Sequence, residues 1–125
     1  MTEKSPFEIG CLKEFSRELK KLKKKYRSLE DDLDTFINTQ LKLFHKRGID
    51  NDGIKELTYV TNEKFKFYKA VKFTCDSLGG RASKSGIRVI YAHAESTDEI
   101  EFIEIYYKGD KENEDRDRVM RYYDE

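Results

Sequence analysis

Two helices are predicted in the first half of the chain by the spacing of its apolar residues. Leucines and aromatic residues recur at steps of three and four over residues 12–26 and again over residues 29–44, which is the period of an amphipathic helix. Ser28 followed by Asp31 resembles a capping box that would start the second helix, and Gly48 is typical of its end. Because only a short connection separates the two helices, they are expected to form an antiparallel hairpin.

Strands are predicted in the second half of the chain, where the period changes to two. Apolar residues alternate with other residues over 71–75 and over 87–92, and a third segment, 100–108, is rich in isoleucine and aromatic residues. Residues 79–86, which contain glycine and serine, and a turn at 97–99 connect them. Sequential strands joined by short connections predict an antiparallel meander.

The remaining segments complete the predicted fold. Residues 7–11 are compatible with a short strand, and residues 49–66 are expected to be mostly loop. Asp110 or Asn113 is positioned to cap a final short helix. The sequence therefore predicts an α+β fold in a single domain, residues 1–125, in which an N-terminal helical hairpin packs on one face of a small antiparallel sheet and a short helix follows at the C-terminus.

The composition of the chain fits a folded domain and excludes several classes of protein. Its net charge is zero and 37% of its residues are hydrophobic, whereas disorder usually combines low hydrophobicity with high net charge. The sequence has neither an apolar run long enough to span a membrane nor the apolar stretch of a signal peptide, so a cytoplasmic protein without membrane contact is expected. Cys11 and Cys75 match neither a disulfide framework nor a metal site, and no cofactor is predicted.

Neither histidine is predicted to be catalytic. His45 lies near the end of the second helix, where a favourable interaction with the helix dipole explains it. His93 continues the core-facing positions of its strand and is expected to pack at the strand end. Neither pairs with a cysteine at the spacing of metal ligands.

Charge is distributed unevenly along the chain although it sums to zero. Residues 13–27 hold eight bases and two acids, and residues 69–91 hold five bases and one acid. Two basic segments of this kind favour an anionic partner such as RNA, although a lysine-rich helix is also common as a solvated face. The candidate phosphate contacts are Lys20, Lys21, Lys24, Lys69, Lys84 and Lys111.

Residues that alternate with the core positions of the strands form a candidate reactive face. If Ile103 and Ile105 face the helices, the opposite face of the sheet collects a mixed set of charged and aromatic side chains. This set is Lys72, Arg88, Glu104, Tyr106 and Lys108. Cations fixed on strands bind phosphates and stabilise charge on a transferred phosphoryl group; Tyr106 could stack a base or donate a proton, and Glu104 could orient Arg88 or act as a base. The alternative is the ordinary solvent face of a one-sided sheet, with glutamate and lysine paired across strands.

Three segments of the second half resemble the RelE/ParE superfamily of toxin–antitoxin toxins. They are residues 67–69 (FYK), 85–91 (SGIRVIY) and 103–108 (IEIYYK). The resemblance is densest from Phe67 to Asp115, about half of the chain, and the lysine-rich helical hairpin before it is similar to the family's N-terminal half. The motif separates the superfamily from unrelated α+β domains better than it separates RNA-cleaving from gyrase-directed members.

The resemblance implies a toxin that a cognate antitoxin holds inactive. RelE-like members cut mRNA in the ribosomal A site, where the ribose 2′-hydroxyl attacks the adjacent phosphate and basic side chains stabilise the charge. Arg88 matches the family's strand-borne arginine, and Lys108 matches the basic position that closes the last strand. Lys69 or Lys72 would take the lysine role, and strand parity favours Lys72. The implied partners are the antitoxin, the ribosome and mRNA, with no small-molecule cofactor.

Two departures from the family pattern keep other functions open. The best-known members carry a tyrosine in the C-terminal helix, whereas this chain has Asn113 and Glu114 at about that point; Tyr106, or Tyr122 and Tyr123, would have to substitute. The sequence pI of about 6.8 is also less basic than is usual for the ribosome-dependent branch. A ParE-like DNA gyrase inhibitor without catalysis, or an inactive toxin-like module that binds RNA or protein, are the alternatives.

Overall fold

A computed structural model describes residues 6–50 and 52–125, and it has the predicted α+β architecture. The elements in chain order are β1 (Glu8–Cys11), α1 (Lys13–Lys23), α2 (Leu29–Phe36), α3 (Lys42–Arg47), β2 (Ile54–Leu57), β3 (Lys66–Ala70), β4 (Ile87–Ala94), β5 (Glu99–Tyr107) and α4 (Arg116–Tyr123). A π-helical turn, Ile37–Leu41, joins α2 to α3, and a 3₁₀ segment, Asp76–Lys84, precedes β4. No helix in the described part of the chain is long and apolar enough to cross a membrane.

The sheet has five strands in the order β1-β5-β4-β3-β2 and is mixed rather than purely antiparallel. β1, at the position where a short strand was expected, pairs parallel to β5, and the other pairs are antiparallel. The predicted strand over 71–75 is wrong, because β3 ends at Ala70. Of its apolar residues Phe73 and Cys75 are buried under the helices and Val71 is half-buried, and Cys75 N–H donates to Ala82 O at 2.9 Å. β2 lies in the segment expected to be mostly loop.

The predicted start and end of the helical hairpin agree with the structure, but the predicted capping hydrogen bonds do not. Gly48 ends α3 with φ at 65°, as predicted. The second helix starts after Ser28 as predicted, but the capping box does not form, because the Ser28 hydroxyl donates to Asp32 at 2.6 Å. α4 is capped neither by Asp110 nor by Asn113 but by Asp115, whose side chain accepts a hydrogen bond from Arg118 N–H at 3.0 Å.

Both faces of the sheet are covered, so the one-sided alternative is wrong. The larger core lies under α1–α3, where the Phe15 ring stacks on Phe102 with centroids 5.1 Å apart. A smaller core on the opposite face, here called the second face, is closed by α4 through Val119 and Tyr123. Burial of apolar side chains on both sides stabilises the sheet and leaves only part of the second face open to solvent.

A β-bulge on β5 changes which residues face the helices. Ile90 pairs with Glu104 and Tyr91 with Phe102, so Ile103 is an extra residue in β5. Ile105 faces the helices as predicted, but Ile103 joins the core of the second face. The parity prediction for Ile103 is wrong because strict alternation does not hold across a bulge. Beyond it, Glu104 and Tyr106 share the second face with Arg88 and Ile90, as predicted.

Gly86, just before β4, occupies a position that an alanine would not fit. Its φ is 76°, and a Cβ there would lie 2.9 Å from the Tyr107 ring. We predict that Gly86→Ala lowers the free energy of unfolding by about 1–2 kcal/mol, measured by urea denaturation. Gly80→Ala is the matched control, since nothing lies within 4 Å of its added Cβ. Equal stability of the two variants would contradict the strain at Gly86.

His45 is part of a buried aromatic cluster, so the helix-dipole interpretation is wrong. Its Nε2 lies 2.8 Å from the Tyr91 hydroxyl, and its ring is 4.0 Å from that of His93 and 4.9 Å from that of Tyr68. Burial, together with the charge that His93 would carry, lowers the pKa of His45 from 6.5 to about 3. Burial also lowers the pKa of His93. Both rings are therefore neutral in the folded protein at pH 7.

The histidine pair makes stability depend on pH between 5 and 6.5. The unfolded chain takes up a proton on His45 in that range and the folded protein does not, and the lowered pKa of His93 acts in the same direction, so stability falls as the pH falls below 6.5. We expect a lower urea midpoint at pH 5 than at pH 7, and a flatter dependence in His45→Phe. The lowered carboxylate pKa values of Asp98 and Glu99 act at lower pH, below their ordinary titration range. Equal wild-type midpoints at pH 5 and pH 7 would contradict this prediction.

Candidate functional site

Arg88 and Tyr106 are cross-strand neighbours on the second face of the sheet. They pair directly in the β4–β5 register, and a shared face brings such side chains together. Arg88 is half-buried, and its Nη1 donates to the Val71 carbonyl oxygen at 2.7 Å. This bond uses one of the five guanidinium N–H donors and holds the side chain in place. An oriented cation therefore stands beside an aromatic hydroxyl.

The Tyr106 hydroxyl is buried and lacks a hydrogen-bond partner among the described residues. The residue is only 5% exposed. Two cations approach its ring: Lys69 Nζ lies 5.9 Å and Lys111 Nζ 5.1 Å from the centroid. A buried hydroxyl without a partner is unusual in a folded protein, and this marks Tyr106 as a candidate functional residue.

Lys69 occupies the same face, next to this tyrosine. It pairs in register with Ile90, and its Nζ lies 3.1 Å from Glu114 Oε1. Burial opposes the charge on Lys69, but the nearby Tyr106 side chain and the Glu114 carboxylate raise its pKa overall. Burial likewise opposes ionisation of Glu114, and hydrogen bonds from the backbone and from Lys69 nevertheless lower its pKa. The pair is therefore ionised at neutral pH.

Glu104 accepts hydrogen bonds from the C-terminal segment, residues 109–115, instead of orienting Arg88. It is fully buried, and its two oxygens accept hydrogen bonds from Lys111 Nζ and, at 2.7 Å, from the Asp115 N–H. Both partners belong to the segment that leads into α4. With these two bonds in place, the carboxylate holds that segment against the second face beside Tyr106. The expected contact between Glu104 and Arg88 is thus replaced by one to the C-terminal segment.

Arg88, Tyr106, Lys69 and Lys111 are here called the centre, and the other predicted site residues lie outside it. Lys72 is exposed two residues beyond the end of β3, and its carbonyl oxygen accepts from Gln40 Nε2 at 2.8 Å. The parity argument for Lys72 assumed a strand through residue 75, and β3 instead carries Lys69 onto the second face. Lys108 is exposed just after β5, and its side chain lies beside Gly86. Lys84 is exposed at the end of the 3₁₀ segment.

The basic helix α1 meets the centre at a groove of about 310 Å³. Lys21 of α1 and Lys25, which follows the helix, line the groove together with Tyr106 and Lys111, and the acidic residues Glu18, Glu104 and Asp110 line it as well. Lys20 on α1 and Lys24 just after it are exposed and do not line the groove. The groove therefore brings part of the first basic segment next to Tyr106, whose neighbours Lys69 and Arg88 belong to the second one.

Several residues of the site were not singled out from the sequence. Lys25 lines the groove, and Glu114 neutralises Lys69 and accepts a hydrogen bond from the Tyr59 hydroxyl at 3.1 Å. Burial, together with the Glu114 charge, raises the pKa of Tyr59 well above its usual value. No local signal marks these contacts, because Tyr59 and Lys69 lie 55 and 45 residues from Glu114. No three His, Cys, Asp or Glu side chains are arranged to hold a metal ion over residues 6–50 and 52–125.

Comparison with solved structures supports the fold that the resemblance predicted. A chain in the crystal structure of the archaeal RelE–RelB complex from Pyrococcus horikoshii OT3 superimposes with a TM-score of 0.50 at 15% identity, covering 84% of this chain and 98% of that chain. The protein thus has a RelE-like fold. No protein-family model and no curated protein matches the chain.

Proposed function

We propose that this protein is the toxin of a toxin–antitoxin module and a ribosome-dependent endoribonuclease that cleaves mRNA. The observation that carries the proposal is the pairing of Arg88 with Tyr106 across β4 and β5, with Lys69 and Lys111 beside the tyrosine ring. Fixed cations next to a buried, unpartnered hydroxyl suit a reaction in which negative charge develops on a phosphate. The RelE-like fold is the second support.

Arg88 is the residue proposed to stabilise the transition state. The ribose 2′-hydroxyl loses its proton and its oxygen bonds to the adjacent phosphorus, and the bond from phosphorus to the 5′-oxygen breaks as that oxygen gains a proton. The products are a 2′,3′-cyclic phosphate and a free 5′-hydroxyl. Arg88 donates to the non-bridging oxygens, on which charge accumulates in the pentacovalent state. Its bond to Val71 O pre-orients the guanidinium for this role.

Tyr106 is the proposed proton-transfer residue, and the lysines act around it. The buried hydroxyl is proposed to hydrogen-bond to the reacting 2′-oxygen or the leaving oxygen once RNA has displaced the C-terminal segment that covers it. Lys69 keeps its charge through its raised pKa and contributes a positive potential at this point. Lys72 and Lys108, both exposed near Arg88, are proposed to contact the flanking phosphates, together with Lys84.

The proposed partners follow from the same surface. Lys20 and Lys21 on α1, and Lys24 just after it, are proposed to contact RNA of the ribosome, and their effect falls with salt concentration. The similar solved chain comes from a complex named RelE–RelB, and a cognate antitoxin is the corresponding proposed partner here. The proposal implies action in the cytoplasm, because the ribosome and mRNA are there.

The test is cleavage of mRNA on programmed ribosomes by the purified chain. Primer extension should show a cut at the A-site codon only when ribosomes are present. Uncut mRNA under these conditions would overturn the proposal. Inhibition of DNA gyrase supercoiling by the same preparation, with mRNA intact, would identify the ParE-like alternative instead.

A non-catalytic RNA- or protein-binding module is the second candidate, and one observation favours it. Lys69 is neutralised by Glu114, and Lys111 by Glu104, so two cations of the centre already have partners inside the chain. This candidate predicts binding to ribosomes without cleavage, and no growth arrest on expression without an antitoxin. Growth arrest accompanied by new RNA ends would exclude it.

A further inference from the structure

β1 lies at one edge of the sheet, and the side of the strand that faces away from β5 is open. The N–H of Glu8 and that of Leu12 donate to backbone oxygens on the β5 side, at 3.0 and 2.9 Å. Successive residues of a strand direct their N–H and C=O groups to opposite sides, so those of Ile9 and Cys11 point away from β5. Among the described residues β1 pairs with no other strand, and these two N–H and two C=O groups have no backbone partner.

The same edge exposes an apolar side chain and two charges without ion-pair partners. Ile9 is 42% exposed, although most large apolar side chains of the described chain are buried. Glu8, at the start of β1, and Lys13, two residues after its end, form no ion pair with any described residue. An open edge of this kind is a template for a further strand, since another strand supplies hydrogen-bond partners and covers the apolar side chain.

β2 forms the opposite edge of the sheet, but its charges oppose pairing with a second copy of itself. Two copies of one strand that meet about a twofold axis perpendicular to the sheet run antiparallel, so the residue at the axis lies directly opposite the same residue of the other copy. The registers that overlap β2 most fully are centred on Lys55 and on Glu56. Each register places two like charges directly opposite each other, which is destabilising.

β1 has a register of this symmetry without such a conflict. With the axis at Gly10, Ile9 lies opposite Cys11 of the second copy, and their backbone groups exchange two hydrogen bonds on each side of the axis. The four unpaired N–H and C=O groups of each copy are then all used. Glu8 lies opposite the residue that precedes Lys13 in the second copy, so an acid meets a base at each end of the paired strands.

We propose that two copies of this chain associate through β1, antiparallel about a twofold axis at Gly10, and so join their five-stranded sheets into one. The hydrogen bonds of the main chain fix the register, and each Ile9 side chain is covered by the second copy. One short strand from each copy makes a small interface, so the dimer is reversible and depends on concentration. β5 lies between β1 and the strand that carries Arg88, and the proposal does not depend on RNA cleavage.

The first test uses the wild-type chain in solution. Sedimentation velocity should show a mass that rises from one chain towards two as the protein concentration is raised about a hundredfold. Over the same range, hydrogen exchange of the Ile9 and Cys11 amides should slow, whereas the Glu56 amide, which points to the open side of β2, should not change. A chain that stays monomeric throughout would overturn the proposal. If its β1 amides then became protected only when an antitoxin is bound, the edge would belong to that partner instead.

Two isoleucine variants locate the interface. Ile9→Lys places a charge at the pairing edge and should weaken dimerisation about tenfold or more. Ile49→Lys is the matched control, because Ile49 is 54% exposed and lies outside β1, and this variant should dimerise like the wild type. Equal dimerisation of the two variants would overturn the proposal. Because the wild-type measurements require no variant, they remain a test even if one of these chains fails to fold.

A disulfide tests the register. Gly10→Cys in a Cys11→Ser background should form an intermolecular disulfide with oxidised glutathione, because residues directly opposite at the axis have Cα atoms about 4.5 Å apart. The added side chain has room, since the nearest atom to its Cβ is Glu101 Oε2 at 3.8 Å. Cys11 of the wild type should not cross-link, because it lies diagonally from Cys11 of the second copy. No disulfide in the glycine variant, or a disulfide through Cys11 in the wild type, would overturn the pairing about Gly10.

Discussion

Replacing Arg88 with alanine is expected to reduce ribosome-dependent mRNA cleavage by about 10²–10³-fold, the usual effect of removing one pre-oriented donor to developing charge. The side chain stands beside Tyr106 on the second face and is held by its bond to Val71 O at 2.7 Å. Loss of that bond should lower the free energy of unfolding by only about 1 kcal/mol. Activity should therefore fall far more than stability. The measurements are primer extension on programmed ribosomes and urea denaturation of the same preparation.

Two control variants make the Arg88 result specific. Arg81→Ala removes an exposed arginine of the 3₁₀ segment with the same change in net charge, and it should cleave at nearly the wild-type rate. Arg88→Lys keeps the charge but loses the planar fork, and it should fall between the alanine variant and wild type. Full cleavage by Arg88→Ala, or equal losses in Arg81→Ala and Arg88→Ala, would remove Arg88 from the proposed centre.

The helices were predictable from the sequence because their signals are local. The three- and four-residue spacing of apolar side chains and the glycine at the end of α3 depend on the helix itself. The strands were predicted less well, because edge strands such as β1 and β2 depend on partners far away in the chain. Apolar alternation over 71–75 reflects burial under the helices, and alternation alone does not distinguish buried extended backbone from a paired strand.

The candidate site was predictable only in part, and the physical reason is the bulge in β5 together with the C-terminal segment. Arg88 and Tyr106 pair directly on one side of the bulge, where alternation is regular, and they share a face as the parity predicted. Glu104 also keeps that face, but its oxygens are occupied by Lys111 and the Asp115 N–H, contacts that no spacing indicates. Lys69 lies on the second face because it belongs to β3, which ends at Ala70, whereas the pattern predicted a strand that extended to residue 75.

Arg118→Ala is expected to give the largest loss of stability, about 3 kcal/mol in the free energy of unfolding. Arg118 is buried, and its guanidinium donates two bonds of 2.9 Å to the Glu18 carboxylate and one of 2.9 Å to the Ile103 carbonyl oxygen. It thus joins α4 to α1 and to β5. The hydrogen bonds that Arg118 donates to Glu18 raise the pKa of the guanidinium, so it stays charged, and its removal leaves Glu18 and a buried carbonyl without this partner.

Arg121→Ala is the matched control, since Arg121 is also on α4 but its side chain is 65% exposed and contacts Glu14 at 3.4 Å. An exposed pair of this kind contributes about 0–1 kcal/mol, so this variant should stay close to wild type in urea denaturation. Hydrogen exchange should accelerate at α4 amides in Arg118→Ala more than at those of β4, because α4 loses its anchor to the sheet. Equal stability of the two arginine variants would show that α4 is held by the apolar contacts of Val119 and Tyr123 alone. A loss confined to α4 would instead show that the arginine controls how firmly the C-terminal segment covers Tyr106, and hence how readily RNA reaches it.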